Sequence, residues 1–173
     1  MPTSADAADV ARLIAECPPL DTNSLYCNLL QCSYFAETCV VAERSRRLAG
    51  WISGFRPPDK TDELFVWQVA VAAHARGTGL GGRMLDHLIA RCAGRGGEPL
   101  HIATTITEGN AASWALFGAL ARRHNASFAR KPLFERVAHF GGAHDTEHLV
   151  SIGPIAITSL TSPDTKIDPG EIT

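Results

Sequence analysis

The run Arg76-Gly77-Thr78-Gly79-Leu80-Gly81 has the residue types that suit a bound polyanion. Glycines clustered between a strand and a helix leave backbone N–H groups uncovered, and the helix start adds the positive end of its dipole. A pyrophosphate fits that environment. Gly77, Gly79 and Gly82 also satisfy the Gly-x-Gly-x-x-Gly spacing of dinucleotide-binding turns. Such a turn sits in a first strand–helix–strand unit and calls for an acidic residue about 20 positions later. Here the preceding strand follows a hairpin, and the next strand, Leu100 to Thr105, ends in threonines. A nucleotide P-loop is excluded as well, because no Lys follows the glycines in the required place.

A second set of reactive side chains lies outside the glycine run. Asp21, Tyr26, Trp67, Gln68, His144 and Glu147 offer carboxylates, an imidazole, aromatic faces and an amide. His144 and Glu147 share a face if their stretch is a helical turn, and even a loop can bring them to one pocket. Each residue also has a plainer reading. Asp21 is placed to cap the helix after it. His144 reads as an exposed loop histidine, and Glu147 as half of a capping motif before the last strand. Trp67 is a core aromatic or a pocket wall able to make a cation–π contact. Gln68 points to the opposite sheet face and, once buried, needs partners, so it is structural or substrate-facing. Tyr26 and Trp114 line a pocket or fill the core. Glu63 and Glu108 precede an apolar strand and a helix, where a solvated face or an N-terminal charge is the simpler reading.

Elements must hold these groups. Asp6 to Cys17 reads as a helix, with Val10, Leu13, Ile14 and Cys17 on one face, and Pro18-Pro19 stops it. Asp21 to Ser24 supplies cap candidates for a helix from Leu25 to Phe35. Thr38 to Glu43 and Ala49 to Arg56 form a hairpin turning at Arg47-Leu48. Leu64 to Val71 is apolar nearly throughout, as for a central strand covered on both faces. Leu80 to Ala93 is a helix ended by Gly94 to Gly97. Leu100 to Thr105 is a strand, and Gly109-Asn110 opens a helix to His124. Ser127 to Leu133 and His148 to Ile152 are the last strands. Residues 154–173, rich in Ser, Thr, Pro and Asp, read as a poorly ordered tail to a single domain spanning 1–153. The order predicts a mixed α/β domain with helices covering a central sheet.

Composition narrows the partners. The chain has 173 residues, enough for one domain with one substantial core. A net charge of −2 gives no electrostatic case for nucleic acid or an anionic membrane. No apolar run approaches the roughly 20 residues that span a bilayer. The first residues lack the basic-then-apolar order of a secretory signal. The five cysteines are odd in number and lack Cys-x-x-Cys pairs, so free thiols in a reducing cytoplasm are the leading reading. A metal site or a thiol nucleophile is the minor one.

The stretch Val69-Ala70-Val71-Ala72-Ala73-His74-Ala75-Arg76-Gly77-Thr78-Gly79-Leu80-Gly81 resembles the signature of the GNAT acetyltransferase superfamily. That signature is an apolar strand, a Gln or Arg followed at fixed spacing by two small residues, then a helix. Arg76, Gly79 and Gly81 match it. Asn110 to Phe117 extends the likeness, as an Asn-opened helix with a small residue, Ser113, three positions on. The resemblance implies the acyl-CoA N-acyltransferase fold, with a mixed, mostly antiparallel sheet flanked by helices. It implies that Arg76, Gly77, Thr78, Gly79, Leu80 and Gly81 hold the pyrophosphate of acetyl-CoA. The strand beside them would splay from its neighbour and pair with the pantetheine arm through the main chain of Val69 and Val71, with Asn110 and Phe117 alongside. Two departures stand out. The usual strand before the first helix is absent or vestigial here. Many members also carry a thiolate-protonating Tyr where this chain has Phe117. A thiolate of pKa about 8.5 leaves unprotonated at modest cost near neutral pH; otherwise Tyr26, Ser113 or a water must serve.

Further stretches are narrower in their likeness. Cys17 to Tyr26, Phe35 to Glu43, Phe65 to Val71 and Gly142 to His148 resemble the L-2,4-diaminobutyrate acetyltransferase family of ectoine biosynthesis. That resemblance implies acetyl transfer from acetyl-CoA to the γ-amine of L-2,4-diaminobutyrate, without a metal, by a cytoplasmic homodimer. The acceptor amine, with a pKa near 10, must lose a proton before it attacks. On this reading Glu147, with His144, holds the amine or takes its proton, and Asp21 holds an amine. The backbone N–H of Val69 polarises the thioester carbonyl. Tyr26, Trp67, Gln68, Asn110 and Trp114 complete the substrate pocket. Other readings remain open: acetylation of a polyamine or an aminoglycoside, or a non-catalytic acyl-CoA sensor on the same fold.

Overall fold

The computed structural model describes residues 1–93 and 100–156. The glycines at 94–97 and the tail from 157 onward lie outside the described residues. Helix α1 (Ala7–Ala15) forms because Val10, Leu13 and Ile14 recur at helical spacing, and all three are buried. Helix α2 (Leu25–Ser33) is capped by Ser24, whose Oγ accepts from the Cys27 N–H at 3.1 Å. The capping role open to Asp21 is therefore taken by another residue, and its carboxylate is free for other work. No strand precedes α1 among the described residues; Ser4–Asp6 is a short 3-10 turn.

Strands β1 (Val40–Arg44) and β2 (Arg47–Phe55) form the expected hairpin. Its turn is at Ser45-Arg46, two residues earlier than expected, and both residues have positive φ of 52° and 60°. That conformation matches the right-handed twist of a tight hairpin. Strand β3 is Glu63–Val71 and β4 is Leu100–Thr107. Helix α3 (Leu80–Ala93) lies between them in sequence and buries Leu80, Met84, Leu85, Leu88 and Ile89. Truncating one such leucine to Ala costs about 2–5 kcal/mol. Helix α4 (Ala111–Arg123) follows β4, and strands β5 (Ser127–Phe134) and β6 (Glu147–Ile155) complete the chain. Strand β6 runs through Gly153 to Ile155, so the fold extends past the expected boundary at 153.

The sheet order is β1-β2-β3-β4-β6-β5, antiparallel except for the parallel β3–β4 pair. Two cores occupy its two faces. Helices α3 and α4 cover one, around Met84, Leu88 and Leu120; α1 and α2 cover the other, around Ile14 and Trp51.

Two irregularities in β3 matter for function. Its pairing with β4 is confined to Glu63–Phe65 against His101–Ala103, so the strands part beyond Phe65. Its pairing with β2 also slips, because Ser53 opposes Gln68 while Gly54 opposes Val66, leaving Trp67 as an extra residue. The bulge inverts the alternation of side chains. Leu64 and Val66 before it, and Val69 and Val71 after it, all pack on the α3–α4 core. Ala70 packs on the other. The strand is consequently not covered on both faces throughout: Trp67 is 49% exposed. Gly54 permits the slip, since a Cβ there would lie 2.8 Å from the Phe65 carbonyl oxygen.

Candidate active site

The gap between β3 and β4 opens into two adjoining cavities. The first, about 390 Å³, runs from the glycine turn along Val69 and Val71 to the start of α4. Gly77 and Gly79 hold φ of 75° and 77°, a region that side chains disfavour, and both line the cavity. Leu80 begins α3, whose first-turn N–H groups have no intrahelical acceptor. The backbone of Gly77 to Gly82 could therefore offer donors to an anion. Arg76 lines the same cavity, and its side chain is also tied to the scaffold. Its Nε donates to the Val71 carbonyl at 3.0 Å, and its guanidinium lies 3.5 Å from Cys17 Sγ, so it fastens the turn to β3 and to the end of α1. Thr78 donates its hydroxyl to the Ala75 carbonyl at 2.8 Å and does not line the cavity.

The second cavity, about 290 Å³, is more polar and lies beyond the bulge. Asp21, Trp67, Gln68, His144 and Glu147 line it together, although they are distant in sequence. Asn110, Ser113, Val69, Pro19 and Leu20 border both cavities, and they mark the junction. No Lys or Arg is among the described lining residues of the second cavity.

His144 joins the two carboxylates. Its Nε2 lies 3.6 Å from Asp21 Oδ2 and 3.9 Å from Glu147 Oε1. Its Nδ1 sits 2.7 Å from the Asp145 carbonyl, which can only accept, so a hydrogen bond there requires the tautomer with the proton on Nδ1. The stretch is not a helical turn: His144 belongs to a loop and Glu147 opens β6. An ion pair between Arg136 and Asp145 at 2.8 Å and a ring contact between Phe140 and His144 hold that loop.

Glu147 is the most unusual group. Its side chain is 19% exposed, and its Oε2 is buried without a hydrogen-bond partner among the described residues. Burial pushes its carboxyl above the ordinary range, while the Thr105 hydroxyl and His144 pull it back down. A largely buried carboxylate at the wall of a polar cavity is fit to receive an ammonium or a proton.

Gln68 has both amide ends occupied. Its Oε1 accepts from Asn23 Nδ2 at 2.8 Å, and its Nε2 donates to the Asp21 carbonyl at 2.7 Å. It ties the Asp21 loop to the bulged strand. Phe117 is buried at the inner wall of the second cavity. Two expected residues lie elsewhere. Tyr26 is 70% exposed and lines neither cavity. Trp114 lines neither as well; its indole N–H donates to the Thr107 carbonyl at 3.0 Å, and its ring packs on Phe128, His148 and Arg130. The sequence reading missed Asn23, Thr105 and Thr107 as lining residues. For the threonines a signal existed: alternation along β4 puts Thr105 and Thr107 on the face of Glu147, which pairs with Thr107.

Comparison with known proteins gives consistent findings. The sequence profile of the Acetyltransferase (GNAT) family matches residues 8–121. An L-2,4-diaminobutyric acid acetyltransferase of Methylotuvimicrobium alcaliphilum is 49% identical over 153 residues, covering 88% of each chain. The same enzyme of Vibrio cholerae is 45% identical over 155 residues, covering 87% of this chain and 86% of that one. The diaminobutyrate acetyltransferase EctA from Paenibacillus lautus, solved in complex with L-2,4-diaminobutyric acid and coenzyme A, superposes with a TM-score of 0.82 at 36% identity, covering 89% of this chain and 92% of that chain.

Proposed function

The chain belongs to the GNAT acetyltransferase family, and from that premise we propose that it transfers the acetyl group of acetyl-CoA to the γ-amine of L-2,4-diaminobutyrate. The observation that carries the reading is the pair of adjoining cavities, one lined by the glycine turn and the start of α3, the other by Asp21, Glu147 and His144. A cofactor with a pyrophosphate fits the first, and a diamine fits the second.

The chemistry follows from the residues. The pyrophosphate rests on the backbone of Gly77 to Gly82, and the pantetheine arm lies along the main chain of Val69 and Val71 where β4 has parted from β3. The thioester then reaches the junction. The acceptor's ammonium groups sit among Asp21, His144 and Glu147, and the Trp67 face closes that side. Glu147 takes a proton from the γ-ammonium, its carboxyl being raised toward that task by burial. The free amine attacks the acetyl carbon, and the Val69 N–H stabilises the oxygen that gains charge. The acceptor's own carboxylate meets His144, amides and hydroxyls, since no Lys or Arg lines the cavity among the described residues.

We further place the enzyme in the cytoplasm as a homodimer that supplies the precursor of ectoine, and hence in osmotic protection. All five cysteines are free thiols, in keeping with a reducing compartment. Light scattering on the purified protein reads the assembly; a monomer at micromolar concentration would refute the dimer. The activity is tested by thiol release from acetyl-CoA with L-2,4-diaminobutyrate, followed by mass analysis of the acetylated nitrogen. Turnover at the γ-nitrogen is expected. Equal or better turnover with 1,3-diaminopropane would move the assignment to diamines without a carboxylate.

A further inference from the structure

Acetyl transfer leaves an electron pair on the CoA sulfur, and Phe117 supplies no group to receive it. Resting on the acetyl-CoA reading above, we propose that the Ser113 hydroxyl is the hydrogen-bond donor to the departing sulfur. The amine arrives from one cavity and the thioester from the other, so the bond that breaks lies at their junction. Of the residues bordering both cavities, Pro19, Leu20 and Val69 have hydrocarbon side chains, and only Asn110 and Ser113 carry polar ones. The Asn110 amide oxygen is engaged as the cap of α4, accepting from the Ser113 N–H at 3.1 Å; its Nδ2 is the rival donor, and the Ser113 variants below separate the two because they leave that group in place. The cap bond fixes Ser113 in the first turn of the helix. Its hydroxyl makes no hydrogen bond among the described residues, and is free to donate.

Other donors fail on position. Tyr26 lines neither cavity and is 70% exposed. The Gln68 amide is held at both ends by the Asp21 loop. Thr104, Thr105 and Thr107 border the second cavity alone. Ser113 also sits where the positive end of α4 adds to stabilisation of an anion.

The step balances without a new co-reactant. The nitrogen lone pair forms the C–N bond to the acetyl carbon. The C–S bond breaks and its pair goes to sulfur. The proton lost by nitrogen goes to Glu147 and then to solvent. Serine keeps its own proton, because a hydroxyl is a far weaker acid than a thiol of pKa about 8.5; it stabilises the thiolate as a donor.

The test reads the thiolate directly. CoA bound to wild type, Ser113→Ala and Ser113→Thr is titrated by thiolate absorbance in the ultraviolet, with binding followed by calorimetry. Loss of one hydrogen bond to a charged acceptor is expected to raise the bound thiol's pKa by about one unit in Ser113→Ala. Ser113→Thr, which keeps the hydroxyl, restores most of the difference. In turnover, kcat of Ser113→Ala falls about tenfold while both KM values stay within about twofold, as for an interaction made late in the reaction. An unchanged thiol titration in Ser113→Ala, with CoA bound, overturns the proposal. Failure of wild type to bind CoA at all is a different result: it overturns the acetyl-CoA reading itself.

Discussion

Replacing Glu147 with Gln separates activity from stability, because the two effects have opposite signs. The Glu147 side chain is mostly buried, with Oε2 lacking any partner among the described residues and the ring of His144 near Oε1. Gln keeps the shape and removes the charge. A charge-assisted hydrogen bond is worth about 1.5–3 kcal/mol, which converts to a loss of about 10- to 150-fold in kcat/KM for diaminobutyrate. If Glu147 also takes the proton, the loss moves to the upper end. The KM for acetyl-CoA should not change, since Glu147 borders the second cavity and not the first. Stability runs the other way. Burial raises the carboxyl's pKa in the folded protein above its unfolded value. The folded state therefore binds the proton more tightly, and the group's stabilising contribution is present below the unfolded pKa and lost as pH rises through the folded one. At neutral pH Glu147→Gln removes that penalty, so its Tm should equal or exceed that of wild type, and the difference should shrink on acidification. The measurements are initial rates by thiol release and thermal melts across pH 4 to 8. A kcat/KM within about twofold of wild type would remove Glu147 from the chemistry. A parallel fall in Tm at neutral pH would show that the side chain is structural.

Gln68→Ala should raise KM for diaminobutyrate by about tenfold, because it cuts both hydrogen bonds that hold the Asp21 loop, at about 0.5–1.5 kcal/mol each. The KM for acetyl-CoA should stay constant, and an equal rise in both would mean that the loop serves the whole cleft. Gly79→Ala forces a side chain to φ of 77°, costing about 1–2 kcal/mol. It should raise the Kd for CoA, measured by calorimetry, while Gly109→Ala, where nothing lies within 4 Å of an added Cβ, should not.

The sequence reveals elements better than directions. Spacing of apolar residues is a local property, and it locates α1 and α3 nearly to the residue. The glycine turn is also local, since positive φ selects the residue type. The hairpin turn at Ser45-Arg46 escapes notice because neither residue advertises positive φ. Tyr26 and Trp114 lie close to informative segments, yet Tyr26 points to solvent and Trp114 to the β5–β6 side of α4. Proximity to a motif says nothing of the direction in which a side chain leaves its helix. Gln68 is recognisable as a buried amide in need of partners, but its partners, Asn23 and the Asp21 carbonyl, come from a loop 45 and 47 residues away.

The bulge at Trp67 links the fold to the reaction. With an unbroken register, β3 would keep one alternation along its length, and Val69 and Val71 could not share a core with Leu64 and Val66. The extra residue restores Val69 and Val71 to the α3–α4 core while letting Trp67 stand out as a wall of the second cavity. Beyond Phe65 the β4-facing edge of β3 has no strand partner. An unpaired strand edge inside a protein is costly unless something hydrogen-bonds to it. Arg76 meets one of its carbonyls, at Val71, and the rest of the edge is suited to an extended ligand with amides of its own. The pantetheine arm is a ligand of that kind, and under the proposed function it would complete the sheet that the divergence of β3 and β4 leaves open. On this account cofactor recognition belongs to backbone geometry, which many sequences can adopt. Choice of acceptor would then belong to the side chains of Asp21, His144 and Glu147, which converge from a loop after α1, the loop before β6 and the start of β6.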